Sequence, residues 1–139
     1  MTLGQADFAG TWQITRRIVD RHGAQSGQFD GLADLTPQAA AGLQYREDGT
    51  LTLDAGGTFR ASRAYVWQFT SDRVLVKFDD GRDFHSFVPT GQAAGTDHPC
   101  GQDYYRVTYD FRDWPVWRAV WTVTGPAKDY TMTSLYTRR

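Results

Sequence analysis

Apolar and polar residues alternate with a period of two along most of the 139-residue chain, and short turn signals separate the alternating runs. The first run, residues 12–20, puts Trp12, Ile14, Arg16 and Ile18 on one face. Residues 28–36 do the same with Phe29, Gly31, Ala33 and Leu35, until Pro37 stops the run. Residues 42–47 and 50–53 flank Asp48-Gly49, a dipeptide that predicts a hairpin turn. Residues 58–70 alternate over a longer stretch, with Phe59, Ala61, Arg63, Tyr65, Trp67 and Phe69 sharing a face. Residues 73–78 and 83–88 are separated by a tight turn at Asp80-Gly81. Residues 89–102 read as a loop of small and polar side chains, and 103–111, 116–124 and 129–138 complete the set. Residues 37–43 hold one turn of helix at most, and no longer segment has a helical period.

Ten or so short strands in succession predict an all-β, antiparallel meander. An open meander exposes unpaired edges that template aggregation, and curling the sheet shut removes them. The expected fold is therefore a single domain over residues 1–139, an up-and-down β-barrel of roughly eight to ten strands, with a two-sheet sandwich as the alternative. Composition agrees. Val, Ile, Thr, Tyr, Phe and Trp make up 47 residues, whereas the charged helix formers are reduced to Glu47, Lys77 and Lys128. The charge is balanced at a net -1, with six basic and seven acidic residues in positions 1–70 and nine of each in 71–139. That balance argues against nucleic acid or an anionic membrane as the main partner. No apolar stretch is long enough to span a bilayer, and no secretory signal is visible. Cys100 is the only cysteine, which predicts a reducing, cytoplasmic location. A small molecule is the expected partner, with a homodimer left open.

Phe8-Ala9-Gly10-Thr11-Trp12 resembles the Gly-x-Trp signature on the first strand of lipocalin-like barrels, the calycin group. The resemblance implies that Trp12 plugs the closed end of the barrel and that an arginine near the C-terminus packs on it. Arg138 is the nearest candidate and Arg118 the second. The segments 80–85 (Asp-Gly-Arg-Asp-Phe-His), 98–105 (His-Pro-Cys-Gly-Gln-Asp-Tyr-Tyr) and 121–130 resemble a small uncharacterised bacterial family of lipocalin-like single-domain proteins. That resemblance runs from Phe8 to Arg138 and implies a calycin-type barrel with no established activity. The chain departs from better-known calycins: it has no room for a helical lid between the first two strands, no long C-terminal helix and no cysteine pairs. A fatty-acid carrier is not implied.

Inside such a barrel, alternation places Arg16 and Arg63 on apolar faces, and Glu47 beside Leu43 and Tyr45. Charges in such positions are costly unless paired. One reading is an internal ion-pair network in which Glu47 neutralises Arg16 or Arg63. The other leaves one guanidinium over, a planar fork suited to a carboxylate or phosphate on a ligand. Tyr65, Trp67, Tyr105, Tyr109, Trp117, Trp121, Tyr130 and Tyr136 also fall on predicted inner faces. They make either a packed aromatic core or the wall of a partly wet pocket, since each O–H and N–H needs a partner. The expected ligand site comprises Arg16 and Arg63 to orient an anionic or polar group and Tyr45, Tyr65, Trp67, Tyr109, Trp121 and Tyr130 as wall. His85 and His98 are expected at the open end, with 89–102 as a lid. No cofactor is specified by any motif. Two alternatives are a haem- or metal-binding barrel using His85 or His98, and an enzyme using the Cys100 thiol with a nearby histidine as base.

Overall fold

A computed structural model describes residues 2–38 and 42–139. Among these residues a single turn of helix, α1 (Gln5–Phe8), precedes eleven strands: β1 (Gly10–Asp20), β2 (Gly27–Gln38), β3 (Gly42–Leu53), β4 (Thr58–Phe69), β5 (Val74–Phe78), β6 (Asp83–Phe87), β7 (Gln92–Ala94), β8 (His98–Cys100), β9 (Asp103–Asp110), β10 (Trp117–Gly125) and β11 (Lys128–Arg138). All belong to one antiparallel sheet in the order β6-β5-β4-β3-β2-β1-β11-β10-β9-β7, with β8 also paired to β9. First and last strands are neighbours, so the sheet's free edges lie in the middle of the sequence, at β6 and β7. The Thr96 N–H donates to the Ser86 carbonyl, and the Ser86 N–H to Thr96 Oγ1, both at 2.9 Å, and these bonds bring the edges together. The result is a nearly closed barrel, not a sandwich. Among the described residues no helix is long and apolar enough to cross a membrane.

The inner face is the predicted one. Trp12, Ile14 and Arg16, then Phe29, Ala33 and Leu35, then Leu43, Tyr45 and Glu47 are buried, while their sequence neighbours turn outward or are less buried. One end is plugged. Trp12 is fully buried, its indole N–H donates to the Phe8 carbonyl at 2.9 Å, and the Arg138 guanidinium lies 3.9 Å over its ring. Arg138 also donates to the Ala9 and Asp7 carbonyls, tying α1 to the last strand. Arg118 instead pairs with Asp113. Phe8 sits at the centre of this plug, edge-on to Trp67, Phe111, Trp114 and Trp117.

Two local expectations are corrected. Asp48-Gly49 is no hairpin; β3 runs straight through it, and Gly49 faces Gly31 across β2 and β3. A side chain on either glycine would press into the opposing backbone and the Phe29 ring: a Cβ on Gly49 would lie 2.3 Å from the Asp30 carbonyl and 2.8 Å from Phe29 Cζ. The glycines are there to let Phe29 lie flat beneath Arg16, whose guanidinium is 5.1 Å from the ring centroid. Residues 89–102 are no lid. They contain β7 and β8, which pair with β9 and form part of the wall. The helical turn expected over 37–43 falls partly at residues 39–41, outside the described residues; Pro37 and Gln38 end β2, and Gly42 and Leu43 begin β3.

Candidate ligand-binding site

A cavity of about 620 Å³ opens at the end opposite the Trp12 plug. All ten residues of the expected site line it, on eight of the strands. Arg16, Tyr45, Trp67, His85 and Tyr109 are the buried ones; Tyr65, Trp121, Tyr130 and His98 are partly buried, and Arg63 is exposed. Strand register explains the convergence, since Tyr45 pairs with Tyr65, Leu43 with Trp67, Glu47 with Arg63, and Trp121 with Met132.

The floor is a closed polar network. Arg16 Nη1 and Nη2 donate to Glu47 Oε2 and Oε1 at 2.6 and 3.0 Å, and Arg16 Nε donates to Ser134 Oγ at 2.7 Å. The Tyr45 hydroxyl donates to Glu47 Oε1 at 2.5 Å, so the Tyr136 hydroxyl, 2.8 Å away, donates to Tyr45. Burial pushes the Glu47 carboxyl up, but the Arg16 hydrogen bonds, the charges of Arg16 and Arg63 and the Tyr45 hydroxyl outweigh it, and the group stays below its ordinary range. Burial likewise opposes the charge on Arg16, and the Glu47 bond and charge with the surrounding tyrosines prevail to hold it protonated. The two charges satisfy each other, and Arg16 has no fork left for a ligand.

Arg63 is different. Although it faces Glu47 directly across β3 and β4, the carboxylate turns away to Arg16. Among the described residues the Arg63 guanidinium makes no ion pair; its one polar contact is Nη2 to the Met132 sulfur at 3.9 Å. The other cavity-lining charges are matched nearby, Arg82 by Asp80 and Asp83 by Lys77. The predicted surplus charge therefore sits on Arg63, at the open end.

The histidines do not form a reactive cluster. His85 is not at the open end but buried in the wall, 7% exposed, with Nε2 2.8 Å from the Tyr109 hydroxyl. Burial, helped by the charge of His98, holds its pKa down at about 3, so the imidazole is neutral. His85 Nδ1 and Trp117 Nε1 are buried and lack hydrogen-bond partners among the described residues. His98 lies at the mouth, boxed by the rings of Phe78, Phe84 and Tyr105. Cys100 is exposed and hydrogen-bonds to neither histidine. Among the described residues no three His, Cys, Asp or Glu side chains gather as metal ligands.

Phe84 was not expected in the site, because alternation from His85 and Phe87 turns it outward. It enters through a register shift: Val76 pairs with His85 and Lys77 with Asp83, leaving Phe84 as the extra residue of a β-bulge. Nothing in residues 80–87 marks that bulge beyond an Asp-Gly turn.

These features define a class: an antiparallel, nearly closed β-barrel with one plugged end and an aromatic cavity at the other. Residues 8–138 match the family of unknown function designated DUF6314, and the chain belongs to that family. Comparison with functionally curated proteins finds no match. Among solved structures, the chain is similar to the S-type phycobiliprotein lyase of Guillardia theta, at 11% identity over 97% of this chain and 90% of that one, with a TM-score of 0.63. It is also similar to a DUF3598-family protein of unknown function from Nostoc punctiforme, at 12% identity and a TM-score of 0.61, covering 97% of this chain but 48% of the other. At such identities the likeness is one of fold.

Proposed function

We propose that the barrel binds a small organic anion with an aromatic or amphipathic body, held in the cavity with its acidic group on Arg63. The carrying observation is the combination at one open end: a cavity within the size range of small-molecule sites, and an arginine whose natural cross-strand partner is committed elsewhere. The closed floor network supports this reading, because it leaves Arg16 positive and Glu47 negative in mutual balance. An entering ligand then meets aromatic ring faces along the wall, a charge-balanced floor, and one uncompensated positive charge at the mouth. Tyr65, Trp67 and Trp121 offer flat contact area at low entropic cost, and Arg63 offers charge-assisted hydrogen bonds. A cytoplasmic location goes with this proposal, on the single exposed thiol.

The test uses two fluorescent probes of similar shape: the anion 1-anilinonaphthalene-8-sulfonate and the neutral N-phenyl-1-naphthylamine. Both are expected to bind one per chain, with blue-shifted emission. Arg63→Gln should weaken the sulfonate about tenfold, one charge-assisted hydrogen bond's worth, and leave the neutral probe within about twofold. Equal loss for both probes, or no loss for either, refutes the assignment to Arg63. Failure of both probes to bind the parent protein refutes the cavity as a ligand site.

A further inference from the structure

The bulge that turns Phe84 inward has a second consequence. The Phe84 ring lies in a stack that crosses the barrel's unladdered seam. It is 4.6 Å and 19° from Phe78 of β5 on one side, and 5.1 Å and 13° from Trp121 of β10 on the other. His98 of β8 meets it edge-on at 5.1 Å. Outside this stack, the seam holds a second recess of about 260 Å³, lined by Leu75, Ser86 and Thr96 together with Val76, Asp83, Phe84 and His85. The last four also line the main cavity. Leu75 and Ser86 alternate with inward-facing neighbours and belong to the outer side of the wall, so the recess reaches inward from the seam to the back of Phe84 and His85. His85 is anchored there by Tyr109. Phe84 is held only by ring contacts, none of which directs a hydrogen bond.

We propose that Phe84 is the specificity-determining residue of this cavity: a partition between barrel interior and seam recess that sets the largest ligand the barrel accepts. This rests on the cavity's being the ligand site, and it adds the size limit and the residue that imposes it. With the ring in place, a ligand is confined to the space between Arg63 and the Tyr45–Tyr136 floor, about 620 Å³. Without it, the two spaces join, and longer or wider molecules fit across the seam. An ordinary β-hairpin here would point Phe84 outward and leave the cavity continuous with the recess.

Access is measured without any ligand by placing a reporter thiol on the floor. Ala119 lines the cavity between Tyr109 and Ser134 and is 3% exposed. In a Cys100→Ser, Ala119→Cys background, alkylation by iodoacetamide and by the bulky N-(1-pyrenyl)maleimide is compared with and without Phe84→Ala. The pyrenyl reagent should label about tenfold faster in the Phe84→Ala protein, and iodoacetamide less than about threefold faster, because only the larger reagent is limited by the partition. Phe84→Leu, which keeps apolar packing, should fall between, and it carries the test if the alanine variant loses its far-UV circular dichroism. An unmoved pyrenyl rate overturns the proposal. So does equal acceleration of both reagents, which would mark a general loosening of the seam. The reporter answers whether or not the sulfonate probe binds, so failure of the size limit and failure of the ligand reading are separate results.

Discussion

Replacing Glu47 by glutamine keeps the shape of the floor and removes one charge. Arg16, 5% exposed, is then left as a buried cation with a neutral amide where two charge-assisted bonds stood. Breaking one side of a buried pair costs about 3–5 kcal/mol, a third or more of the stability of an ordinary small domain. Arg16→Met should cost a similar amount, since Glu47 loses its bidentate partner and Ser134 Oγ its donor. The double variant Arg16→Met, Glu47→Leu removes both desolvated charges at once. It leaves only the Ser134 and Tyr45 hydroxyls short of a partner, at about 1–3 kcal/mol for each left unsatisfied. Its loss should therefore fall well below the sum of the two singles, a coupling of roughly 3 kcal/mol or more. Urea unfolding at pH 7, followed by tryptophan fluorescence and circular dichroism, measures all four proteins, with the m-value checked for constancy. Additive losses would show that the two charges do not support each other, and a Glu47→Gln cost below about 1 kcal/mol would contradict the desolvation argument itself. Glu47→Gln also leaves two unmatched guanidinium groups at the cavity. Wherever the variant is folded, it should bind the naphthalene sulfonate more tightly than the parent, the opposite of Arg63→Gln.

Other outcomes follow from particular contacts. Arg138→Ala should destabilise the protein by about 1–2 kcal/mol through loss of the cation–π contact with Trp12 and the bonds to the Ala9 and Asp7 carbonyls, read by urea midpoint; an unchanged midpoint would deny the plug its arginine. Gly49→Ala should cost about 1–3 kcal/mol by overpacking against β2 and Phe29, and a neutral result would mean that β2 and β3 can separate freely. For His85, the folded pKa of about 3 lies below the ordinary histidine value of 6.5, so the unfolded chain binds the extra proton first. Its contribution is complete above pH 6.5 and is lost as pH falls toward 3, by up to about 1.4 kcal/mol per pH unit within that window. Glu47, also lowered, adds loss in the same direction below its ordinary range. Unfolding free energies between pH 6.5 and 4.5 should fall less steeply for His85→Gln than for the parent; parallel slopes would mean that His85 is not buried as a neutral ring.

Much of this molecule is legible in its sequence. Period-two alternation named the inward residues of nearly every strand, because a pleated sheet with one buried face imposes that period on its side chains. Eight of the ten candidate site residues came from the same rule, and all ten reach one cavity. The surplus of two inward arginines over one inward glutamate also followed from it. Alternation failed where the backbone departs from a regular ladder. The bulge at Phe84 adds one residue to β6 and turns inward a ring that strict alternation would turn outward. Asp48-Gly49 has the composition of a hairpin, but the glycine serves a close approach to Gly31 and Phe29 that only the paired strand creates. The stretch 89–102 lacks alternation because β7 and β8 are three residues each, too short to show a period.

What the chain's own pattern determined is the sheet, its inward face and the kinds of side chain enclosed by it, since these depend on local geometry repeated every two residues. Which arginine Glu47 chooses, how deep His85 lies and where the sheet's edges meet were decided only by tertiary structure. Those outcomes depend on strand register, barrel closure and competition between side chains distant in sequence: Arg16 wins the carboxylate because burial of both groups makes their pairing obligatory, while Arg63, nearer to solvent, can remain charged alone.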